Sequence, residues 1–318
     1  MTDVLLLGAT GSIGRMLAGH LAGRGLAVGL AGRNAPQLGE LDSRLARAGA
    51  CTSVRVVDMT DPGSLAEAAA TSRVVVSTVG PFTRWAGAVV DACLAVGVPY
   101  VDIANEWQAV RQLLDRDTTA RKRGVALVTG AGFGVVATES LVVRLLGRSR
   151  VTPVRVRVAA AAAVGSRSEG VANTIQEAMN QGALSYRDGQ LVREPFGSGA
   201  TVLSFGGEHR RMIPAPVGDL EAARVASGAA EVVAYLEAEG GAGDASHSWA
   251  EVTWPDGRSV AAELRLGDGN QATVAIAAET IGRVLAGPAA GAWTPCRLFG
   301  AELVTDAMSA ARQDAGVR

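Results

Sequence analysis

Lysine is almost missing: Lys122 is the only one among 318 residues, so no lysine stands after a glycine loop to form a nucleotide-triphosphate P-loop. The short-chain dehydrogenase pairing of a tyrosine with a lysine four residues on is also absent, because Tyr100, Tyr186 and Tyr235 all lack that partner. Neither a G-x-S-x-G nucleophile elbow nor an H-E-x-x-H zinc helix occurs. Kinase-type, hydrolase and zinc-protease chemistry are therefore excluded. His20, His209 and His247 sit at no ligand spacing from each other or from a cysteine, so no metal site is expected. Cys51, Cys93 and Cys296 are odd in number and widely spaced, which suits a reduced cytoplasm better than a disulfide framework.

Charge of either sign is not in excess. The formal net charge is −1 and the arginines are spread along the chain, so there is no basic stripe for nucleic acid and a small-molecule partner is expected. Apolar stretches are broken by glycine or charge within a dozen residues, and the N-terminus runs straight into a strand carrying Asp3. This predicts neither a membrane span nor a signal peptide. A 48% hydrophobic content is ample for a large core, as one large or two ordinary domains.

What the chain does contain is rhythm. Residues 1–130 repeat an apolar strand followed by an amphipathic helix, with strands at "DVLLL", "AVGLA", "SVRVVD", "RVVVSTV", "PYVDIA" and "VALVTG". Six such units predict an α/β fold, a Rossmann-type doubly wound parallel sheet. The helix between the last two strands is read as one stretch, "EWQAVRQLLDRDTTARKRG". After it the pattern changes to a second, α+β domain. There "PVRVRVAAAAAV" reads as a strand, "SEGVANTIQEAMNQG" as a helix and "SWAEVTWPDGRSVAAELRL" as a hairpin turning on Pro-Asp-Gly. The predicted division is 1–130, 131–290 and 291–318. The helical stretches "ATVAIAAETIGRVLAG" and "RLFGAELVTDAMSAARQ" are candidates to pack back on the first domain.

The first strand ends in "GATGSIG", with Gly8, Gly11 and Gly14 between strand and helix. Spaced glycine triplets arise by chance when 40 residues are glycine, so the strand–turn–helix position is the stronger evidence. Gly8 permits a tight turn, Gly11 lets a diphosphate approach, and Gly14 lets the helix pack closely. Thr10 and Ser12 add hydroxyls, Ile13 lies among them, and the helix start offers backbone N–H groups to an anion. The second strand ends in "AGRN", where an NAD protein would place an acid. Arg33, aided by Asn34, suits a 2′-phosphate instead, so NADP is favoured over NAD. Asp58, at the end of the third strand, is read as facing the adenine. Thr78, Val79, Gly80, Pro81 and Phe82, after the fourth strand, are read as the loop under the nicotinamide. "YVDIANEW" then gathers Tyr100, Asp102, Asn105 and Glu106 at the same edge. Asp102 and Glu106 are the candidate catalytic acids, although each could equally cap the helix that follows. Thr83, Trp85, Tyr100, Asn105 and Asn173 are candidate substrate contacts.

Through "LLGATGSIGRMLAGHLAGRG", "AGRN", "STVGPFTRWAGAVVDACLAVGVPYVDIANEW" and "GAGFGVVATESL", the chain resembles the saccharopine dehydrogenase (saccharopine reductase)-like family. "EGVANTIQEAMNQGALSYRDGQLV" and "TPCRLFGAELV" look like its bacterial members, some of which are described as trans-acting enoyl reductases. The resemblance implies a second domain closing over the nicotinamide and NADPH as hydride source. It also implies cofactor contacts at Gly8, Thr10, Gly11, Ser12, Ile13, Gly14, Arg33, Asp58 and the 78–82 loop. A compact second domain without a basic cluster argues against lysine biosynthesis. The expected function is an NADPH-dependent reductase acting on a C=N, C=O or activated C=C bond of a metabolite. The rivals are a non-catalytic NADP sensor and a trans-acting subunit whose acyl substrate arrives on a carrier. Whether the second domain forms a homodimer sheet or a lid is left open.

Overall fold

The computed structural model describes residues 1–163, 181–205, 207–237 and 245–316. Its first part runs β1 (Thr2–Leu7), α1 (Ser12–Gly23), β2 (Val28–Gly32), α2 (Ala35–Arg47), β3 (Thr52–Val56), α3 (Pro62–Ala69), β4 (Ser72–Ser77) and α4 (Phe82–Val96). It continues through β5 (Tyr100–Asp102), α5 (Trp107–Leu114), α6 (Asp117–Arg123), β6 (Ala126–Val128) and α7 (Phe133–Leu146). The stretch from 106 to 124 is thus two helices rather than one. The first ends at Asp115, and Arg116 then caps the second, whose last-turn carbonyls of Ala120 and Arg121 accept from the N–H of Gly124 in the left-handed region.

The second part holds β7 (Arg155–Ala161), β8 (Ala183–Arg187), β9 (Gln190–Glu194), β10 (Thr201–Phe205), β11 (Glu208–Pro214) and α8 (Gly218–Ser227). Then come β12 (Glu231–Glu237), β13 (Ser246–Thr253), β14 (Ser259–Leu266), α9 (Gly269–Leu285), β15 (Gly291–Trp293), α10 (Pro295–Phe299) and α11 (Leu303–Gly316). The helix read at "SEGVANTIQEAMNQG", with Asn173, falls outside the described residues up to its last two positions. Gly257, at φ +84°, closes the Pro-Asp-Gly hairpin between β13 and β14.

The first sheet has the order β15-β6-β5-β4-β1-β2-β3 and is parallel throughout. The chain starts in the middle, builds outward through β2 and β3, then crosses to β4 on the other side of β1. The order therefore reverses between β1 and β4, which opens a crevice beyond their C-terminal ends. Strands buried on both faces need apolar residues at every position. Val4 and Leu6 of β1 pack on α1, α2 and α9, while Leu5 and Leu7 pack on α3 and α4.

One feature departs from the sequence reading: the strand β15 adds a seventh member beside β6. The helix α9, whose sequence made it a candidate to pack back on the first domain, lays Val274, Ala277, Ala278, Ile281 and Val284 over the first sheet. The second sheet has the order β10-β11-β12-β7-β13-β14, with β8 pairing β12 and β9. Its inner face, with Val156, Val158, Val232 and Val252, packs on Leu141 and Val142 of α7 and on Leu220 and Ala223 of α8. This packing joins the second sheet to the helix that leaves β6.

Candidate functional site

The glycine loop sits at the crevice between β1 and β4. Gly8 has φ +80°, a conformation that favours glycine, and Gly11 N–H donates to its carbonyl at 2.9 Å to close the turn. A Cβ on Gly14 would lie 2.1 Å from that same carbonyl oxygen, so only glycine lets α1 sit this close. Gly11 is the N-cap of α1 in extended conformation, with no side chain capping the helix. The first-turn N–H groups therefore face outward for an anion. Across the crevice the Thr78 hydroxyl bridges to the Leu7 carbonyl (3.1 Å) and the Gly8 carbonyl (3.2 Å), tying the two loops together. Val79 is half-buried, Gly80 and Pro81 are exposed and joined by a cis peptide, and Phe82 is buried at the start of α4. Thr10 and Ile13 are half-buried and Ser12 is exposed, so both hydroxyls border the loop.

Arg33 follows β2 directly, is exposed and pairs with no acid among the described residues. Asn34 caps α2, its Oδ1 accepting from Gln37 N–H at 3.1 Å. Its amide N–H groups remain as donors. Asp58 is exposed beyond β3, where its carboxylate accepts from the Thr60 hydroxyl and N–H at 2.7 and 2.8 Å. Those bonds hold it below the usual aspartate range, while Asp61 caps α3.

The cluster after β5 is brought together at the sheet's ligand edge. Asp102 is 1% exposed, and its Oδ1 accepts from Thr129 Oγ1 (2.8 Å), Gly130 N–H (3.0 Å) and Ala104 N–H (3.0 Å). It pins the end of β5 to the loop after β6. Glu106 is the N-cap of α5, yet its carboxylate turns away to accept from Phe82 N–H and Asn105 N–H, both at 3.1 Å. It fastens the loop after β4 to the loop after β5. Both acids thus join ligand-edge loops, which is a structural role beside the proton-carrying one expected from sequence. Tyr100 is fully buried in the core beside Asp102 and Ser77, so it is corrected from a substrate contact to a core residue. Thr83 and Trp85 are half-buried on α4, with the Arg84 guanidinium 4.5 Å from the centre of the Trp85 ring. Asn173 lies outside the described residues.

Sequence reasoning missed Asp219. It is 3% exposed on α8, its Oδ1 accepts from Thr138 Oγ1 at 2.9 Å, and its Oδ2 has no partner. Asn105 Oδ1 also has none, and both oxygens face Gly134, where a Cβ would stand 3.1 Å from Asn105 Oδ1 and 3.4 Å from Asp219 Oδ2. Gly218 N–H donates to the Asn105 carbonyl at 2.7 Å, so the two loops are locked where the domains meet. In sequence Asp219 is indistinguishable from an ordinary first-turn helix acid.

Burial pushes three carboxyls up: Asp102 and Asp219 to about 6 and Glu139 to about 7, each against the hydrogen bonds it accepts. Between the unfolded values near 4 and these folded values, the native protein binds more protons than the unfolded chain. Their stabilising contribution is thus complete on the acid side and is lost as pH rises through 6 to 7, on the order of 1–3 kcal/mol for each group. Calorimetric unfolding is expected to show Tm falling from pH 5 to pH 8, with a shallower fall in Asp219→Asn. A Tm that climbs over that interval would mean these groups are charged in the fold.

Residues 4–128 match the family model described as the saccharopine dehydrogenase NADP binding domain. This segment belongs to that domain family. The NADP-binding domain so identified carries the glycine loop, Arg33 and the 78–82 loop, and the match indicates NADP as its dinucleotide. Trans-acting enoyl reductases of Mycobacterium bovis and Mycobacterium tuberculosis are 33% identical over 150 residues, which is 46% of this chain and 36% of theirs. The match thus spans about a third of the length of those curated relatives. Saccharopine dehydrogenase (L-Glu forming) from Saccharomyces cerevisiae superposes with a TM-score of 0.65 at 15% identity, covering 99% of this chain and 98% of that one. Amine dehydrogenase from Mycobacterium smegmatis gives a TM-score of 0.54 at 15% identity over 93% and 96% of the two chains. These likenesses establish that the NADP-binding domain and the second sheet are arranged in a shared fold. No helix among the described residues is long and apolar enough to cross a membrane.

Proposed function

We propose that this protein is an NADPH-dependent reductase that delivers hydride to a C=N, C=O or activated C=C bond of a small metabolite held between the two domains. The observation that carries the reading is the glycine loop locked by Thr78 at the β1/β4 crevice, with Arg33 unpaired at the neighbouring strand end. NADPH bound there would supply the hydride. The α1 N-terminus would hold its diphosphate, Arg33 and Asn34 the 2′-phosphate, Asp58 the adenine side and residues 78–82 the nicotinamide side. Thr83, Trp85 and Asn105 are the proposed substrate contacts, with Asp102 and Glu106 keeping their loops in place. Free thiols at Cys51, Cys93 and Cys296 suit a reducing cytoplasm.

A second reading, reduction of an acyl chain carried on another protein, is favoured by the identity to mycobacterial trans-acting enoyl reductases.

Calorimetric titration of wild type and Arg33→Ala with NADPH and NADH tests the cofactor half. A charged hydrogen-bonded contact contributes about 1.5–3 kcal/mol, so NADPH affinity is expected to fall roughly 10- to 100-fold while NADH affinity stays level. Absence of NADPH binding to wild type, or an unchanged NADPH preference in the variant, overturns it. Transfer of deuterium from C4-labelled NADPH to product, using free and carrier-linked substrates, separates the two readings. A protein that binds NADPH and transfers no label to either would be a sensor.

A further inference from the structure

A cavity of about 200 Å³ opens on the side of the molecule away from the glycine loop, where α5 and α6, β15 and α10, and α8 of the second domain meet. Its strand, β15, is four places from β1 in the sheet, about 19 Å at ordinary strand spacing. It is therefore separate from the proposed diphosphate site.

Three guanidinium groups line it, those of Arg121, Arg224 and Arg297, around the indole of Trp293. Arg121 lies 5.0 Å and Arg297 5.6 Å from the centre of that ring, so one aromatic side chain orients two like charges. The indole is itself anchored by its N–H donating to the Ala289 carbonyl at 3.1 Å.

The acids of the lining are already committed. Asp117 accepts from Ala292 N–H (2.9 Å) through one oxygen and from Arg121 Nε (2.8 Å) through the other. Glu221, fully buried, accepts from Tyr186 OH (2.7 Å) and Trp107 Nε1 (3.3 Å) and is paired with Arg224. Asp115 pairs with Arg111 at 3.1 Å. Arg297 makes no salt bridge among the described residues; its charge acts at longer range on Asp117 and Glu139, lowering both carboxyls, and its backbone N–H donates to Glu139 at 3.2 Å. A guanidinium offers five N–H donors in a planar fork that matches an oxyanion. A cavity of this size has room for an ion of phosphate size together with waters.

We infer that this interdomain cavity is a binding site for a small oxyanion, a phosphate or carboxylate group seated on Arg297 and Arg121 beside Trp293. Occupation would bridge the C-terminal return to α6. The inference stands independently of the reductase reading.

The test is calorimetric titration of the full chain, with NADP in excess to cover the glycine loop, using inorganic phosphate and malonate as probes and sodium chloride as control. At least one probe is expected to bind wild type with a Kd in the millimolar range or below. Binding should weaken at least tenfold in Arg297→Gln, with NADPH affinity unaltered. Phosphate alone points to a phosphorylated ligand, malonate alone to a carboxylate, and both to a general oxyanion site. The bound probe should also change the tryptophan fluorescence of wild type, and not that of Trp293→Phe. If neither probe binds, or if binding is the same in Arg297→Gln and Arg121→Gln as in wild type, the site does not exist.

Discussion

Gly14→Ala is expected to abolish measurable NADPH binding and to destabilise the fold by about 3 kcal/mol. The added methyl would stand 2.1 Å from the Gly8 carbonyl oxygen and 2.9 Å from its carbon, far inside contact distance. Neither partner can step aside cheaply. The Gly8 carbonyl is held by Gly11 N–H and by the Thr78 hydroxyl, so moving it loosens the loops after β1 and β4 together. Gly11→Ala is the informative companion, because its Cβ would lie 3.3 Å from the same oxygen, a contact the loop can absorb with a small shift. That variant is expected to keep its Tm while losing NADPH affinity, since the methyl occupies the approach of the diphosphate. Thermal unfolding and calorimetry on both proteins decide the matter. A Gly14→Ala chain with wild-type Tm and wild-type affinity would show that the helix is not seated on the loop as described.

The other large effect is expected at Glu139. This carboxylate is fully buried on α7, and it accepts from the Thr294 hydroxyl, Cys296 N–H (3.0 Å) and Arg297 N–H (3.2 Å). One acid thus holds the turn from β15 into α10. Glu139→Ala removes the acceptor for all three donors, of which the Thr294 hydroxyl is itself fully buried. With each buried unsatisfied group costing about 1–3 kcal/mol, a loss of about 3–5 kcal/mol is expected. Glu139→Gln, which keeps one acceptor oxygen, should lose less. Denaturant unfolding measures both, and limited proteolysis should find the alanine variant cut first after residue 290. Equal stability of Glu139→Ala and wild type would place the C-terminal return under the control of packing alone.

The parts legible in the sequence are those whose signal is local. The six strands of the first sheet announce themselves as apolar runs, and Gly8, Gly11 and Gly14 take meaning from lying between a strand and a helix. What was not legible depends on partners far along the chain. Asp102 and Glu106 stood out as acids at the ligand edge. Their engagement with Gly130, Thr129 and Phe82, 24 to 28 residues away, makes them loop joints. Asp219 and Glu139 look like unremarked helix acids in "VGDLEAAR" and "VVATESLVV", and only the packing of α7, α8 and α10 buries them. The strand β15 is three residues, Gly-Ala-Trp, too short to show a period, and its place beside β6 is set by tertiary contact. Arg33 was legible because its meaning lies in which residue type follows a strand end.

The position of β15 and α9 carries a consequence for synthesis. When the ribosome has finished β6, the first sheet still has a bare edge at Ala126–Val128, and the Val4 and Leu6 face still lacks α9. Both are supplied only after roughly 160 further residues, about 8 to 33 seconds of translation at common rates. Over that interval the nascent chain presents an unpaired apolar strand, a natural substrate for holding chaperones. The dinucleotide half, although it precedes the second sheet in the chain, is thus completed only after that sheet has been made.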